Sequence, residues 1–191
     1  MVSLKCHWRR WGGLLGCVFL LAGCLSVPLG DPEKSTVDNK LVGWWQPTDA
    51  GQGEHGLISV QAYDPRSYLI IIYSYTQDGA TITPKGTMMF KAWLTPVANT
   101  RFLTMQLMNP RPANATDPEK DRYSISRVEM TDGGWSARTV SDDFLKDCAT
   151  SEALRQKITD NVNNDALYGD KAATYQKAGD ELTESVTKAF N

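Results

Sequence analysis

Between residues 41 and 140 the chain alternates short runs of strand formers with turn residues, at the spacing of an antiparallel meander. A first run covers 41–46. A second, 56–63, sets Ile58, Val60 and Ala62 against Leu57, Ser59 and Gln61. Runs 68–75 and 102–108 are apolar on both faces, and 86–95 carries Met88, Phe90, Ala92 and Leu94 on one side. Runs 123–130 and 135–140 complete a set of seven to eight strands. Asp64-Pro65, Gln77-Asp78-Gly79, residues 97–100 and Asp132-Gly133-Gly134 supply turn chemistry, and a longer polar loop at 109–121 holds Pro110, Pro112 and Pro118.

After Ser141 the period lengthens from two to between three and four. Ser141 with Asp142 and Asp143 has the form of a helix start. Thr150 or Ser151 opens a second helix with Leu154, Ile158 and Val162 on one stripe, and a third begins near Asp180 with Leu182, Val186 and Phe190. The expected fold is therefore mainly β with C-terminal helices (α+β): an antiparallel up-and-down meander over 41–140 and a helical segment over 141–191. Two or three short helices packed on the sheet would explain the strands that are apolar on both faces.

The N-terminus follows other rules. Lys5, Arg9 and Arg10 precede an uncharged apolar run, 11–21, which is shorter than the roughly 20 residues a spanning helix needs. This is the form of an export signal, expected to occupy 1–23. Leu21-Ala22-Gly23-Cys24 resembles the lipobox of bacterial lipoproteins at all four positions. The resemblance implies cleavage before Cys24 and acylation of that residue, so that membrane lipid is a partner. Leu25 and Ser26 stand where an Asp would imply retention at the inner membrane, so the resemblance implies an outer-membrane address on the periplasmic side. Residues 24–40, with two prolines and no apolar period, are expected to form a flexible tether.

Cleavage changes the totals. Residues 1–23 take away three of the 20 Lys and Arg and none of the 22 Asp and Glu, moving the side-chain charge from −2 to −5. A net negative chain has no excess cation to displace counterions from nucleic acid, so no nucleic-acid partner is expected. Of the four cysteines, Cys6 and Cys17 leave with the signal and Cys24 becomes a thioether, which leaves Cys148 as a small buried hydrophobe and no internal disulfide.

Gly43-Trp44-Trp45 supplies Gly-x-Trp at the start of the first strand, and residues 90–103 are similar to small lipocalin-like domains of bacterial lipoproteins. The pattern resembles the calycins. The resemblance implies a full or half barrel in which Trp45 plugs one end, Gly43 allows close backbone approach, and a late arginine, Arg127 or Arg138, stacks on the tryptophan.

Candidate chemistry is sparse. After cleavage His55 is the sole histidine, which argues against a zinc site, and no cofactor-binding pattern is present. Glu54-His55, with Asp49 nearby, could serve an enzyme of unrecognised type, but no Gly-x-Ser-x-Gly elbow accompanies them. Aromatic residues on the strands allow an apolar pocket lined by Tyr73, Phe90 and Phe102. The expected function is that of a non-catalytic, membrane-anchored envelope module binding a small apolar ligand or an envelope protein. The alternatives are a structural or assembly accessory of an outer-membrane complex and an enzyme using His55.

Overall fold

A computed structural model describes residues 27–49, 53–108, 123–169 and 171–191. Cys24, the signal segment and the loop expected at 109–121 lie outside the described residues. Eight strands form an antiparallel up-and-down barrel: β1 (Gly43–Pro47), β2 (Glu54–Ala62), β3 (Tyr68–Asp78), β4 (Thr81–Val97), β5 (Thr100–Leu107), β6 (Tyr123–Thr131), β7 (Gly134–Thr139) and β8 (Ala173–Lys177). Each pairs with its chain neighbours, and β8 returns to β1 through Trp45–Lys177, Gln46–Gln176 and Pro47–Tyr175, which closes the ring. The calycin-like architecture is present as a full barrel. Closure gives every strand a neighbour on both sides, while the start of β2 and the first half of β4 extend past the β1 and β5 ladders.

Strand β8 lies in the segment expected to be helical. Its five residues, Ala-Thr-Tyr-Gln-Lys, alternate too briefly to stand out, and its two pairing partners, β1 and β7, come from opposite ends of the β region. Around it are the expected helices: α1 (Asp142–Leu145), α2 (Ser151–Asn161) and α3 (Asp180–Phe190). Thr150 caps α2 by accepting the Ala153 amide at 3.1 Å.

Period-two alternation sorts the strand residues into a lumen and an outer face. The lumen row runs Ile58–Ile72, Val60–Ile70, Ile70–Phe90, Ala92–Met105 and Leu94–Leu103 across the ladders. These residues form one core cluster with Trp45, Tyr68, Val128, Trp135, Ala137 and Tyr175. The outer face needs its own cover. Leu154 and Ile158 of α2 pack with Leu145 over Phe102, Ile125 and Val140, and Leu182, Val186 and Phe190 of α3 cover Leu57, Tyr73 and Tyr75. Strands β3 and β5 are apolar on both faces because each lies between the lumen and a cover.

The third cover is a correction. Residues 27–40, expected to be a flexible tether, are docked along β4. Leu29 is fully buried in the α2 cluster. Its carbonyl accepts from Trp93 Nε1 (3.0 Å), Thr95 Oγ1 (3.0 Å) and Thr104 Oγ1 (3.1 Å). Gly30 has φ +74°, and a Cβ there would stand 2.3 Å from Thr95 Oγ1, so the approach demands glycine. The Ser35 hydroxyl donates to the Leu94 carbonyl (2.7 Å) and accepts the Leu94 amide (3.1 Å). A single buried leucine between Pro28 and Gly30 shows no period, so the docking left no pattern to read. Replacing Leu29 by Ala is expected to lower unfolding stability by about 2–5 kcal/mol in urea titrations; a free tether would lose nothing.

Candidate functional site

Tyr73, Phe90 and Phe102 do not line one pocket. Phe90 points into the lumen, Phe102 lies outside beneath α2, and Tyr73 lies outside beneath α3, where its ring meets Phe190 edge-on at 5.1 Å. The parity of the ladders is the cause: Ile70 pairs with Phe90 on one face, while Tyr73 pairs with Thr87 and Phe102 with Thr95 on the other. The middle of the lumen is occupied by side chains. Trp135 stacks on Tyr175 at 4.1 Å and meets Trp45 at 90° with centroids 6.3 Å apart. Trp45, Trp135, Tyr175 and Phe90 are each 4% exposed or less. An eight-stranded barrel is just narrow enough for side chains to fill it. Trp135 Nε1 and Ser124 Oγ are buried without a hydrogen-bond partner. Such atoms are suited to single buried waters or a small polar group.

Gly43 and Trp45 sit where β1 enters the barrel. Trp45 Nε1 donates to the Leu41 carbonyl at 2.8 Å. The cation over its ring is Lys177, with Nζ 4.0 Å from the centroid and 3.1 Å from the Val42 carbonyl. Neither Arg127 nor Arg138 takes this place. They face each other across β6 and β7 on the outer surface, where both lie over the Tyr168 ring at 5.9 and 4.6 Å. Arg127 also pairs with Glu129, and Arg138 with Asp165 at 2.9 Å. Gly43 makes room for a side chain rather than for backbone. Its φ is +139°, and a Cβ would lie 2.4 Å from Lys177 Nζ.

Glu54 and His55 are consecutive on β2 and therefore project to opposite faces. His55 stacks on Tyr75 at 5.6 Å on the outer face, and Asp49 is exposed in the turn after β1. This arrangement gives His55 no carboxylate from its own sequence neighbour. Cys148 is buried in the cluster under α2. Among the described residues no three His, Cys, Asp or Glu gather as metal ligands, and no helix is long and apolar enough to cross a membrane.

One described cleft lies at the barrel end where β1 begins. Val37 and Leu41 enter the lumen cluster there. Asp38 forms an ion pair with Arg101, accepts the Lys40 amide at 2.9 Å and donates its own amide to the Tyr68 hydroxyl. The Lys40 amide, aided by Arg101 and opposed by burial, holds the Asp38 carboxyl below its ordinary value of 3.8, while burial pushes the Tyr68 hydroxyl up from 10.0. Beside this plug lies a cleft of about 630 Å³ lined by residues 34–40 with Leu94, Pro96 and Arg101. Arg155 of α2 reaches its rim by donating to the Pro96 carbonyl at 2.9 Å. Residues 34–40 and Arg101 carried no local motif; their assembly depends on contacts about sixty residues apart in the chain.

No family model, curated protein or solved structure matches the chain.

Three outcomes are expected at this end. Gly43→Ala should lower stability by about 1–3 kcal/mol through the strained φ, and Lys177→Met by about 0.5–2 kcal/mol through the lost cation–π contact, both read as urea midpoints. Asp38, with its folded value depressed, contributes stability that is complete above 3.8 and is lost as pH falls through the lower folded value. Asp38→Asn should therefore be less stable than the parent at neutral pH, and that gap should close as pH drops below 3.8.

Proposed function

We propose that this chain is an exported, lipid-anchored, non-catalytic module of the bacterial cell envelope, which works through its outer surface on an envelope partner. The anchoring rests on the signal-like N-terminus and the Leu-Ala-Gly-Cys motif ending at Cys24. Two or three acyl chains hold a protein stably at a bilayer, at about 0.8 kcal/mol per buried methylene. The observation that favours a partner over an apolar ligand is the Trp45–Trp135–Tyr175 assembly, which occupies the lumen where such a ligand would sit. The separation of Glu54 from His55 supports a role without catalysis.

Cells grown with labelled palmitate test the anchor. The label should enter the parent chain, and Cys24→Ser should abolish labelling and release the protein from the envelope fraction. An unlabelled parent would remove the anchoring reading. Titration with an apolar fluorescent probe tests the surface reading: tryptophan emission should not change, whereas saturable quenching would restore an apolar ligand in the barrel.

A further inference from the structure

The docked strap limits how far the barrel can stand from an acylated Cys24, a limit that rests on the anchoring reading of that residue. Five Cα–Cα steps lead from Cys24 to Leu29, whose carbonyl is held by Trp93, Thr95 and Thr104. Fully extended, they span only ~17 Å. The expected tether of sixteen or so free residues is thus replaced by a short leash, and the strand it is fastened to is the one that floors the cleft. Leu94 and Pro96 line that cleft on either side of Thr95, which receives the strap.

The chemistry of the cleft matches what a leash of that length brings near. Leu94, Pro96 and Val37 contribute an apolar floor, and Lys34, Lys40 and Arg101 contribute cations, with Arg155 on the rim. Asp38 is the acid within the lining, engaged by Arg101, and Asp31 lies 3.9 Å from the exposed Lys34 ammonium. Nearby, Glu33 is paired with Arg66. Within the lining three cations, Lys34, Lys40 and Arg101, stand with one acid, Asp38, on a chain whose side-chain charge without residues 1–23 is −5. Local positive charge over an apolar floor, close to acyl chains, suits a phosphate-bearing amphiphile.

We propose that this cleft takes the anionic headgroup of a phospholipid in the leaflet that holds the acylated Cys24. The barrel then stands with its β1-entry end toward the bilayer and presents the opposite end, with the β1–β2 and β3–β4 turns, to the aqueous side.

The test uses residues 24–191 carrying Cys24→Ser, so that binding does not depend on acyl chains. It is mixed at low ionic strength with vesicles of phosphatidylglycerol and phosphatidylcholine, with vesicles of phosphatidylcholine alone, and with inorganic phosphate. The expected result is sedimentation with the anionic vesicles only. A cation near an anionic surface contributes about 1 kcal/mol, so Lys34→Ala with Lys40→Ala should weaken binding ~30-fold, while Lys171→Ala, at the other end of the barrel, should change it less than about twofold. Circular dichroism confirms that each variant is folded. Absence from anionic vesicles, equal binding to phosphatidylcholine, or an equal loss from Lys171→Ala would overturn the proposal. So would saturable binding of inorganic phosphate without binding to vesicles. The mass of the mature chain reports acylation separately, so a failure of the anchor and a failure of the cleft give different results.

Discussion

The pairing of β8 with β1 governs the rest of the molecule. Once Trp45 lies beside Lys177 and Pro47 beside Tyr175, the sheet is a ring, and each strand residue faces either a narrow lumen or an outer surface. A side chain cannot be moved from one side to the other without slipping a whole strand by one residue. That parity sends Phe90 inward and Tyr73 and Phe102 outward, turns Arg127 and Arg138 away from Trp45, and divides Glu54 from His55. It also brings Trp45, Trp135 and Tyr175 together, and those three rings occupy the space that a wider or open sheet would leave to a ligand.

A filled lumen moves the question of function outward. The outer face is half apolar and carries three covers: α2 over Phe102 and Ile125, α3 over Leu57 and Tyr75, and the N-terminal strap over Trp93, Thr95 and Thr104. The first two are amphipathic helices that bury one stripe each. The strap works differently, because it is held through one leucine side chain and one carbonyl as well as the Ser35–Leu94 pair. It also leads from the segment that follows Leu21-Ala22-Gly23-Cys24 into β1.

Local signals made most of the fold legible. Hairpin residues such as Asp132-Gly133 mark the β6–β7 turn, alternation marks β2 and the second half of β4, and the four-residue period of Leu154 and Ile158 marks α2. Three features were not legible, all for one physical reason. Strand β8 is five residues whose partners lie far off in the chain. Lys177 reaches Trp45 only through barrel closure, where family resemblance pointed to an arginine on the wrong face. Leu29 docks by accepting hydrogen bonds from residues more than sixty positions away. In each case the stabilising contact is non-local and involves too few residues to leave a period. The candidate site was less legible than the fold for the same reason: side-chain type suggested a pocket, but the register that decides which side chains meet was not visible.

The filled lumen is tested most directly by nuclear Overhauser contacts among the aromatic rings of residues 24–191 in solution. Cross-peaks between the Trp135 and Tyr175 rings, between the Trp45 and Trp135 rings, and between the Lys177 ε-methylene and the Trp45 ring are expected. Rings that show no mutual contacts, and show contacts instead to water or to a co-purified lipid, would contradict the closed and packed barrel.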